Sequence, residues 1–343
     1  MVAGHSNIKR IMHRISEECR STAEIARLTS WPEALETFIA KVDIQVMNRN
    51  GFKEPPEVRK RLVCKHEILM KYFEKRYGRF ADEYDFHAPM PQSDPALEDK
   101  IWMCWWQGLD QAPEIVKRCV ESIKSNAGDR EVIIITDENY EGYVHIPQWV
   151  KEKQKAGIIT RTNLSDLLRL SLLAEHGGLW LDSTFFCTGP LEQMTFAEPV
   201  WSIKRPDYLH CSIAQGYFAG YSLQCDVDHR WMFRAIRDFF LEYWKTNDFM
   251  VDYLMVDYMI VMAQRHCVEI ADMFLAIKPN NPRCDDLYKI LGNAYEDNQW
   301  KALTSQTSLF KLTWKQSFPL TVKGRQTFYG KLLDGSLPLQ RRG

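Results

Sequence analysis

Two carboxylates and one guanidinium near the middle of the chain have the types and the spacing to bind a charged ligand. Asp166 and Arg169 are three residues apart, so on a helix they lie on the same face. Gly177 and Gly178 are typical of a helix end, and the apolar residues after them indicate a strand that ends at Asp182. Because ligands of open α/β sheets bind at the carboxyl ends of strands, we expect these three side chains to converge. Such a site suits a sugar diphosphate, since carboxylates hold hydroxyls or a divalent ion and arginine offsets phosphate charge.

Each of these residues also has an ordinary structural explanation. Asp166 and Arg169 could form a surface ion pair of a kind that is common on helices, and two glycines alone signal only a helix end. Their combination with a following strand that ends in a carboxylate favours a functional site. Asp137 also follows a predicted strand, and we interpret it as a turn residue.

The pattern S-D-x-x-R, then G-G, then an apolar strand that ends in Asp resembles that of the sugar transferases of capsular polysaccharide synthesis. These are relatives of mannosyltransferases with a D-x-D motif and, more distantly, of the glucosyltransferase domain of large clostridial toxins. The stretch from Trp102 to Gly108 resembles the first strand of the family, and the stretch from Phe310 to Lys315 resembles the capsular branch. Together the matching segments span roughly residues 100–315 and leave out the N-terminal part of the chain.

The resemblance implies an α/β fold of the GT-A type, with a mainly parallel sheet flanked by helices, and a sugar transfer that retains the anomeric configuration. It implies that Trp106, or else Trp105, stacks on the base of a nucleotide sugar. The residues that we assign to donor binding are Trp106, Gln107, Asp166, Arg169, Gly178, Asp182, Lys311 and Lys315. The residues that we assign to catalysis are Asp182, Arg169, Asp252 and Asp257. The last two are candidates to orient or deprotonate an acceptor hydroxyl, although Asp252 is equally suited to cap a helix.

The sequence departs from the family at the second acid of the D-x-D motif, which here reads Asp182, Ser183, Thr184. A hydroxyl is a poor substitute for a carboxylate as a ligand of Mg²⁺ or Mn²⁺. We still expect a divalent cation, held by Asp182 together with donor phosphates. The alternative is a fixed cation from the protein, supplied by Lys311, Lys315 or Arg169. The same departure supports a second functional hypothesis, a carbohydrate- or partner-binding member of the fold that has lost catalysis.

The elements that must position these residues alternate between strand and helix from residue 100 onward, which predicts an α/β domain. Residues 1–95 predict a helical extension that ends in a proline-rich linker. We therefore divide the chain into an extension, 1–95, and a transferase domain, 96–343, with a donor half at about 96–205 and an acceptor half at about 206–343. The stretch from Ser212 to Ala219 is predicted to be a strand.

Composition narrows the class of protein further. The chain has 343 residues and a formal net charge of −1, so nucleic acid is a poor candidate for its partner. Its nine cysteines are scattered without a C-x-x-C pair, which favours free thiols in a reducing cytosol. No stretch reaches the roughly 18 apolar residues of a membrane span. We expect a cytoplasmic protein, possible peripheral contact with the inner face of the membrane, a nucleotide-sugar donor, and a glycan or lipid-linked glycan acceptor.

Overall fold

Three helices form the N-terminal part of the chain. The computed structural model describes residues 2–191, 196 and 198–339, with side chains from residue 15 onward. Helix α1 spans Val2–Leu28, α2 spans Trp31–Arg49 and α3 spans Pro56–Asp82. Helix α2 begins where the Ser30 hydroxyl accepts a hydrogen bond from the backbone N–H of Glu33, which satisfies a donor that the first turn leaves free.

A five-stranded sheet forms the centre of the molecule, in the order β2-β1-β3-β6-β5. Strands β1, β2 and β3 are parallel, whereas β6 pairs antiparallel with both β3 and β5. This arrangement confirms the predicted α/β class with a parallel-rich sheet. The five strands are β1 Ile101–Cys104, β2 Val132–Ile135, β3 Gly178–Leu181, β5 Val200–Ser202 and β6 Ser222–Cys225.

Helices connect and cover these strands, and two short antiparallel strand pairs complete the fold. The helices of the main body are α4 Glu114–Asn126, α5 Gln148–Lys155, α6 Arg161–His176, α7 Arg230–Thr246, α8 Met255–His266, α9 Val268–Ala276, α10 Asp286–Ile290, α11 Asp297–Thr304 and α12 Phe328–Leu333. Strands β4 and β7 pair antiparallel, as do β8 and β9, and they span Phe185–Cys187, Leu309–Lys311, Thr321–Val322 and Arg325–Gln326.

The turn from α6 into β3 depends on glycine. Gly178 has a φ of +86°, and a Cβ built on it would lie 2.4 Å from the backbone oxygen of Lys100, just before β1. Any side chain at this position would therefore push β3 away from β1. Close pairing of these two strands in turn fixes where β3 ends, and hence where Asp182 begins its turn.

The predicted strand from Ser212 to Ala219 is wrong. These residues form turns, and the strand of this region lies later, at β6. Gln215 and Gly216 have φ values of +46° and +82°, which an extended strand does not accommodate. A Cβ on Gly216 would lie 1.9 Å from the backbone oxygen of Arg205, so the segment folds back tightly against that residue.

The N-terminal helices share a hydrophobic core with the main body. Ile25 of α1, Ala34 of α2 and Phe73 of α3 belong to the same buried cluster as Trp180 of β3 and Tyr243 of α7. The phenol of Tyr258 in α8 also contacts the imidazole of His66 in α3, with 2.6 Å between Oη and Nδ1. The three helices therefore pack as an integral layer of the structure.

Candidate functional site

Two connected cavities open at the carboxyl ends of the parallel strands. The tryptophan lobe, of about 610 Å³, is lined by Trp105, Trp106, Trp180 and Trp314 among others. The tyrosine lobe, of about 830 Å³, is lined by Tyr208, Tyr221 and Tyr288 among others. The residues that line both lobes form their junction, and they are Thr162, Arg169, Asp182, Tyr253, Lys311, Leu312 and Thr313.

Helix α6 delivers the predicted pair, with Arg169 at this junction and Asp166 beside it in the tyrosine lobe. The helix starts with reciprocal hydrogen bonds between Thr160 and Asn163, which fix its first turn. One terminal nitrogen of the Arg169 guanidinium donates to the Asp166 carboxylate, and the other donates to the backbone oxygen of Gly220. Both side chains are largely buried, at 11% and 12% exposed, so this is not the solvated surface pair of the structural alternative. Arg169 thereby joins α6 to the loop before β6.

Asp257, at the start of α8, is the third carboxylate of this group. Its side chain accepts a hydrogen bond of 2.6 Å from the hydroxyl of Ser212 and lines the tyrosine lobe. A Cβ on Gly220 would lie 2.7 Å from the Asp257 carboxylate and 3.7 Å from the Arg169 guanidinium. Glycine therefore permits the carboxylate to approach the loop that the guanidinium holds.

Burial changes the acidity of two of these carboxyl groups. Burial is the largest cause that raises the pKa of Asp166, to about 7, and the nearby carboxylates of Asp182 and Asp257 raise this pKa further. The positive charge of Arg169 acts in the opposite direction and lowers the pKa of Asp166. Burial also raises the pKa of Asp257 to about 6, against the opposing hydrogen bond from Ser212 and the charge of Arg169. Two groups around one guanidinium thus titrate near neutral pH, which is typical of sites that exchange protons.

Asp182 follows β3 and contacts an ammonium group. Its carboxylate accepts a hydrogen bond of 3.1 Å from the indole N–H of Trp180 and lies 3.4 Å from Nζ of Lys311. The same Nζ donates to the hydroxyl of Thr184 over 2.7 Å. Because β7 pairs with β4, Lys311 is held opposite Phe185, just after the Asp182–Thr184 turn. The ammonium group therefore contacts both positions of the D-x-D-like motif.

This ligand set fits a divalent ion poorly. Among the residues that the structure describes, no three His, Cys, Asp or Glu side chains lie close enough together to hold a metal. At the motif, Asp182 supplies a carboxylate, but Lys311 contacts it and also engages Thr184. A divalent ion on Asp182 would have to displace or repel that ammonium. The divalent cation stays a prediction from the sequence, and these contacts favour the alternative, in which Lys311 supplies the charge.

The remaining predicted donor residues lie in the tryptophan lobe. Trp106 is 8% exposed, and its indole N–H donates to the hydroxyl of Ser165 over 2.8 Å. The Arg161 guanidinium lies 5.1 Å from the centre of the Trp106 ring. Trp105 meets the exposed ring of Trp314 edge to face, with 5.7 Å between the ring centres. Gln107 and Lys315 line the same lobe.

Two predicted site residues lie away from both lobes. Gly178 is buried inside the sheet, where its role is the close approach of β3 to the strand beside it. Asp252 is buried against Lys65 of α3, with 2.8 Å between carboxylate and ammonium, and it accepts a hydrogen bond from the backbone N–H of Leu254. Burial alone would raise the pKa of Asp252, but Lys65 and Lys41 outweigh it and lower the pKa. These contacts give Asp252 a structural role.

The tyrosine lobe contains functional candidates that the sequence did not reveal. Arg205 donates to the Asp285 carboxylate over 2.6 Å and to the Tyr221 hydroxyl over 2.7 Å, and its guanidinium lies 3.9 Å from the centre of the Tyr208 ring. The end of α2, through Asn48 and Arg49, and the turn after it, through Gly51 and Phe52, also line this lobe. No short motif joins these residues, so only the folded chain brings them together.

All nine cysteines are free, and Cys119, Cys187, Cys225, Cys267 and Cys284 are buried. No helix in the described ranges has both the length and the apolar character that crossing a membrane requires.

Comparison with known proteins places the chain in a family. No curated protein matches it significantly. Among solved structures, the apo structure of the bifunctional glycosyltransferase WbbM is similar with a TM-score of 0.41 and 9% identity, over 95% of this chain and 71% of that chain. The model of one family, described as capsular polysaccharide synthesis protein, matches residues 49–332, from the end of α2 into α12. The resemblance inferred from the motifs is thereby confirmed, and the chain belongs to the family of capsular polysaccharide synthesis proteins.

Proposed function

We propose that this chain is a glycosyltransferase of the GT-A type that moves a sugar from a nucleotide sugar to a glycan during the synthesis of capsular or other surface polysaccharide. The observation that carries the proposal is the junction of the two lobes. There a carboxylate–ammonium pair, Asp182 with Lys311, and a carboxylate–guanidinium pair, Asp166 with Arg169, line adjoining cavities. Membership of a capsular polysaccharide synthesis family agrees with this chemistry.

The tryptophan lobe is the proposed donor site. Trp105, Trp314 and Arg161 all line it, and an aromatic surface in a cavity that also holds a cation suits a base that is attached to a diphosphate. The base stacks on Trp106 or on its neighbour Trp105, with Gln107 at the same wall. Lys315 lies at the exposed side of the lobe and adds positive charge there.

Lys311 is the proposed counter-charge of the leaving group. Transfer breaks the bond between the anomeric carbon and the diphosphate oxygen, and the electron pair of that bond stays on the diphosphate. A fixed ammonium that is already positioned by Asp182 and Thr184 stabilises this developing charge without reorganisation of water. Asp182, whose carboxylate contacts the same ammonium, binds hydroxyls of the sugar or the ribose in this proposal.

The tyrosine lobe is the proposed acceptor site. Its tyrosines and its Arg205–Asp285 ion pair offer the apolar faces and hydrogen-bonding groups that sugar rings use. Asp257 orients the acceptor hydroxyl and accepts its proton, because its pKa of about 6 leaves it mostly ionised at neutral pH yet still basic.

Retention of the anomeric configuration is part of the proposal, and NMR of the product anomer measures it.

A panel of nucleotide sugars tests this function. A cognate donor should raise the melting temperature of the protein by mass action, and the same donor should then support release of nucleoside diphosphate with glycan acceptors. Both assays are run with and without EDTA. Binding of a donor without any transfer would favour the non-catalytic alternative. Absence of stabilisation by every nucleotide sugar would refute a donor site in the tryptophan lobe.

A further inference from the structure

Helix α2 exposes its large apolar side chains to solvent and buries smaller ones. The residues that face the rest of the protein are small or of moderate size, and those buried are Ala34, Thr37, Ala40 and Met47. The large apolar residues face solvent instead, with exposures of 40–68%. They are Trp31, Leu35, Phe38, Ile39, Val42 and Val46. We call these six residues the α2 stripe.

The spacing of the α2 stripe makes it one continuous surface. Successive members are separated by four, three, one, three and four residues, so they follow a single face of the helix. From Trp31 to Val46 the stripe is about 22 Å long. Scattered apolar side chains on a surface need no explanation, but a contiguous stripe of six is typical of a surface that binds another apolar surface.

Acidic and basic side chains near the stripe lie in different places. The three acids of α2 are turned toward neighbouring groups of α3: Glu33 pairs with Lys71, Asp43 pairs with Arg61, and Glu36 contacts the Cys64 thiol. The exposed charged residues from the stripe to the start of α3 are Arg49 and Lys53, both basic.

An apolar face with basic residues at its end and no exposed acid on α2 itself complements a bilayer that contains anionic lipids. The next exposed acid along the chain is Glu57, in the first turn of α3. The N-terminal sequence is also positively charged, because Lys9, Arg10 and Arg14 precede the first acidic residue, Glu17.

The stripe also leads to the tyrosine lobe. Phe52 follows α2, is 42% exposed, and lines that cavity together with Asn48 and Arg49. A surface that contacts α2 would therefore lie beside the opening of the proposed acceptor site.

We propose that the α2 stripe is a membrane-binding surface that inserts into the headgroup region of an anionic bilayer, and that it brings the tyrosine lobe to acceptors carried on lipids. The first half of this inference concerns binding alone, and the second half rests on the proposed function. The sequence predicts possible peripheral contact with a membrane, and this inference assigns that contact to α2.

Flotation of the full chain with lipid vesicles tests the binding. The probes are vesicles of phosphatidylcholine alone and vesicles with about a third phosphatidylglycerol. The test variant is Leu35→Gln/Phe38→Gln/Val42→Gln, in which glutamine preserves helix propensity at exposed positions. The matched control is Val268→Gln/Leu275→Gln, which replaces two apolar side chains of α9 that are 67% and 69% exposed.

We expect the wild-type chain and the control to bind the anionic vesicles, less so at high salt, and the test variant to bind them about 10- to 100-fold more weakly, since three inserted side chains are lost. Equal binding by wild type and test variant, or no binding to either vesicle, would overturn the inference. So would light scattering that shows a wild-type dimer which the test variant converts to a monomer, with vesicle binding unchanged.

Transfer to a short soluble acceptor separates this inference from the proposed function. The α2 variant should transfer sugar to that acceptor at the wild-type rate, because the stripe lies outside both lobes. A chain that binds vesicles but transfers no sugar would retain the membrane surface and lose the proposed function. A chain that transfers sugar but binds no vesicles would retain the proposed function and refute the membrane surface.

Discussion

Replacement of Lys311 by methionine should impair transfer while leaving the fold intact. Nζ of Lys311 lies 3.4 Å from the Asp182 carboxylate and 2.7 Å from the Thr184 hydroxyl, on a side chain that is 23% exposed. An ammonium and a phosphate oxygen about 4 Å apart interact by about 4 kcal/mol at an effective dielectric constant near 20. Partial exposure and the nearby Asp182 reduce this to about 2 kcal/mol, which corresponds to a loss in kcat/KM of about 10- to 100-fold.

The assay measures release of nucleoside diphosphate in excess EDTA, with the melting temperature as a check on folding. Wild type should remain active there, because the counter-charge belongs to the protein. Lys315→Met is the comparison variant. Because this lysine is exposed and its charge is screened by solvent, its loss should lower kcat/KM by only about threefold. A double variant, Lys311→Met/Thr184→Asp, removes the ammonium and restores the second acid, so its activity should become dependent on Mn²⁺.

Two results would refute this reasoning. One is a Lys311→Met enzyme whose kcat/KM in EDTA stays within about threefold of wild type, a smaller change than one lost counter-charge should produce. The other is a wild-type enzyme that loses its transfer activity in EDTA and regains it when Mn²⁺ is added. The second outcome would establish the divalent cation that the family resemblance implies, with Asp182 as its protein ligand.

Four further expectations concern other buried charges. Asp182→Asn should lower kcat/KM by about 10²-fold or more at an unchanged melting temperature, and near-wild-type kinetics would remove this carboxylate from the site. Arg169→Lys should be impaired nearly as much as Arg169→Ala, because lysine cannot bridge a carboxylate and a backbone oxygen at once; a wild-type rate would contradict this. The raised pKa of Asp166, about 7, means that its contribution to stability is present below pH 4 and is lost as the pH rises through 7, so Asp166→Asn should flatten the fall in unfolding free energy across that range. Lys65→Met should destabilise by about 3–5 kcal/mol in urea unfolding, because Asp252 is left buried without its partner, and adding Asp252→Asn should recover much of that loss.

The part of the site that was predictable from sequence is the part built from one continuous segment. Asp166, Arg169 and Asp182 belong to a helix, a turn and a strand that follow one another, and local periodicity with two glycines determines their relative positions. The structure accordingly brings Arg169 and Asp182 to the junction of the lobes and Asp166 to the adjoining wall of the tyrosine lobe.

The part that was not predictable depends on contacts between distant segments. Arg205 and Asp285 are 80 residues apart, and the turn after α2 reaches the same cavity from the other end of the chain. Asp252 looked like an acid available for catalysis because nothing in the sequence indicates that Lys65, 187 residues away, is buried against it. The predicted strand from Ser212 failed for a related reason. Its apolar residues gave a strand-like pattern, whereas the left-handed backbone at Gly216 is set by the packing of Arg205.

The ion pair between α3 and the segment before α8 has a consequence for how this protein can be produced and recombined. A fragment that starts at residue 96 would retain Asp252 but lose Lys65, and it would expose the surface that Phe73 covers. Such a fragment should be insoluble rather than a minimal enzyme. Chimaeras between family members should for the same reason exchange the first three helices together with α7 and α8, and never at the proline-rich connection alone.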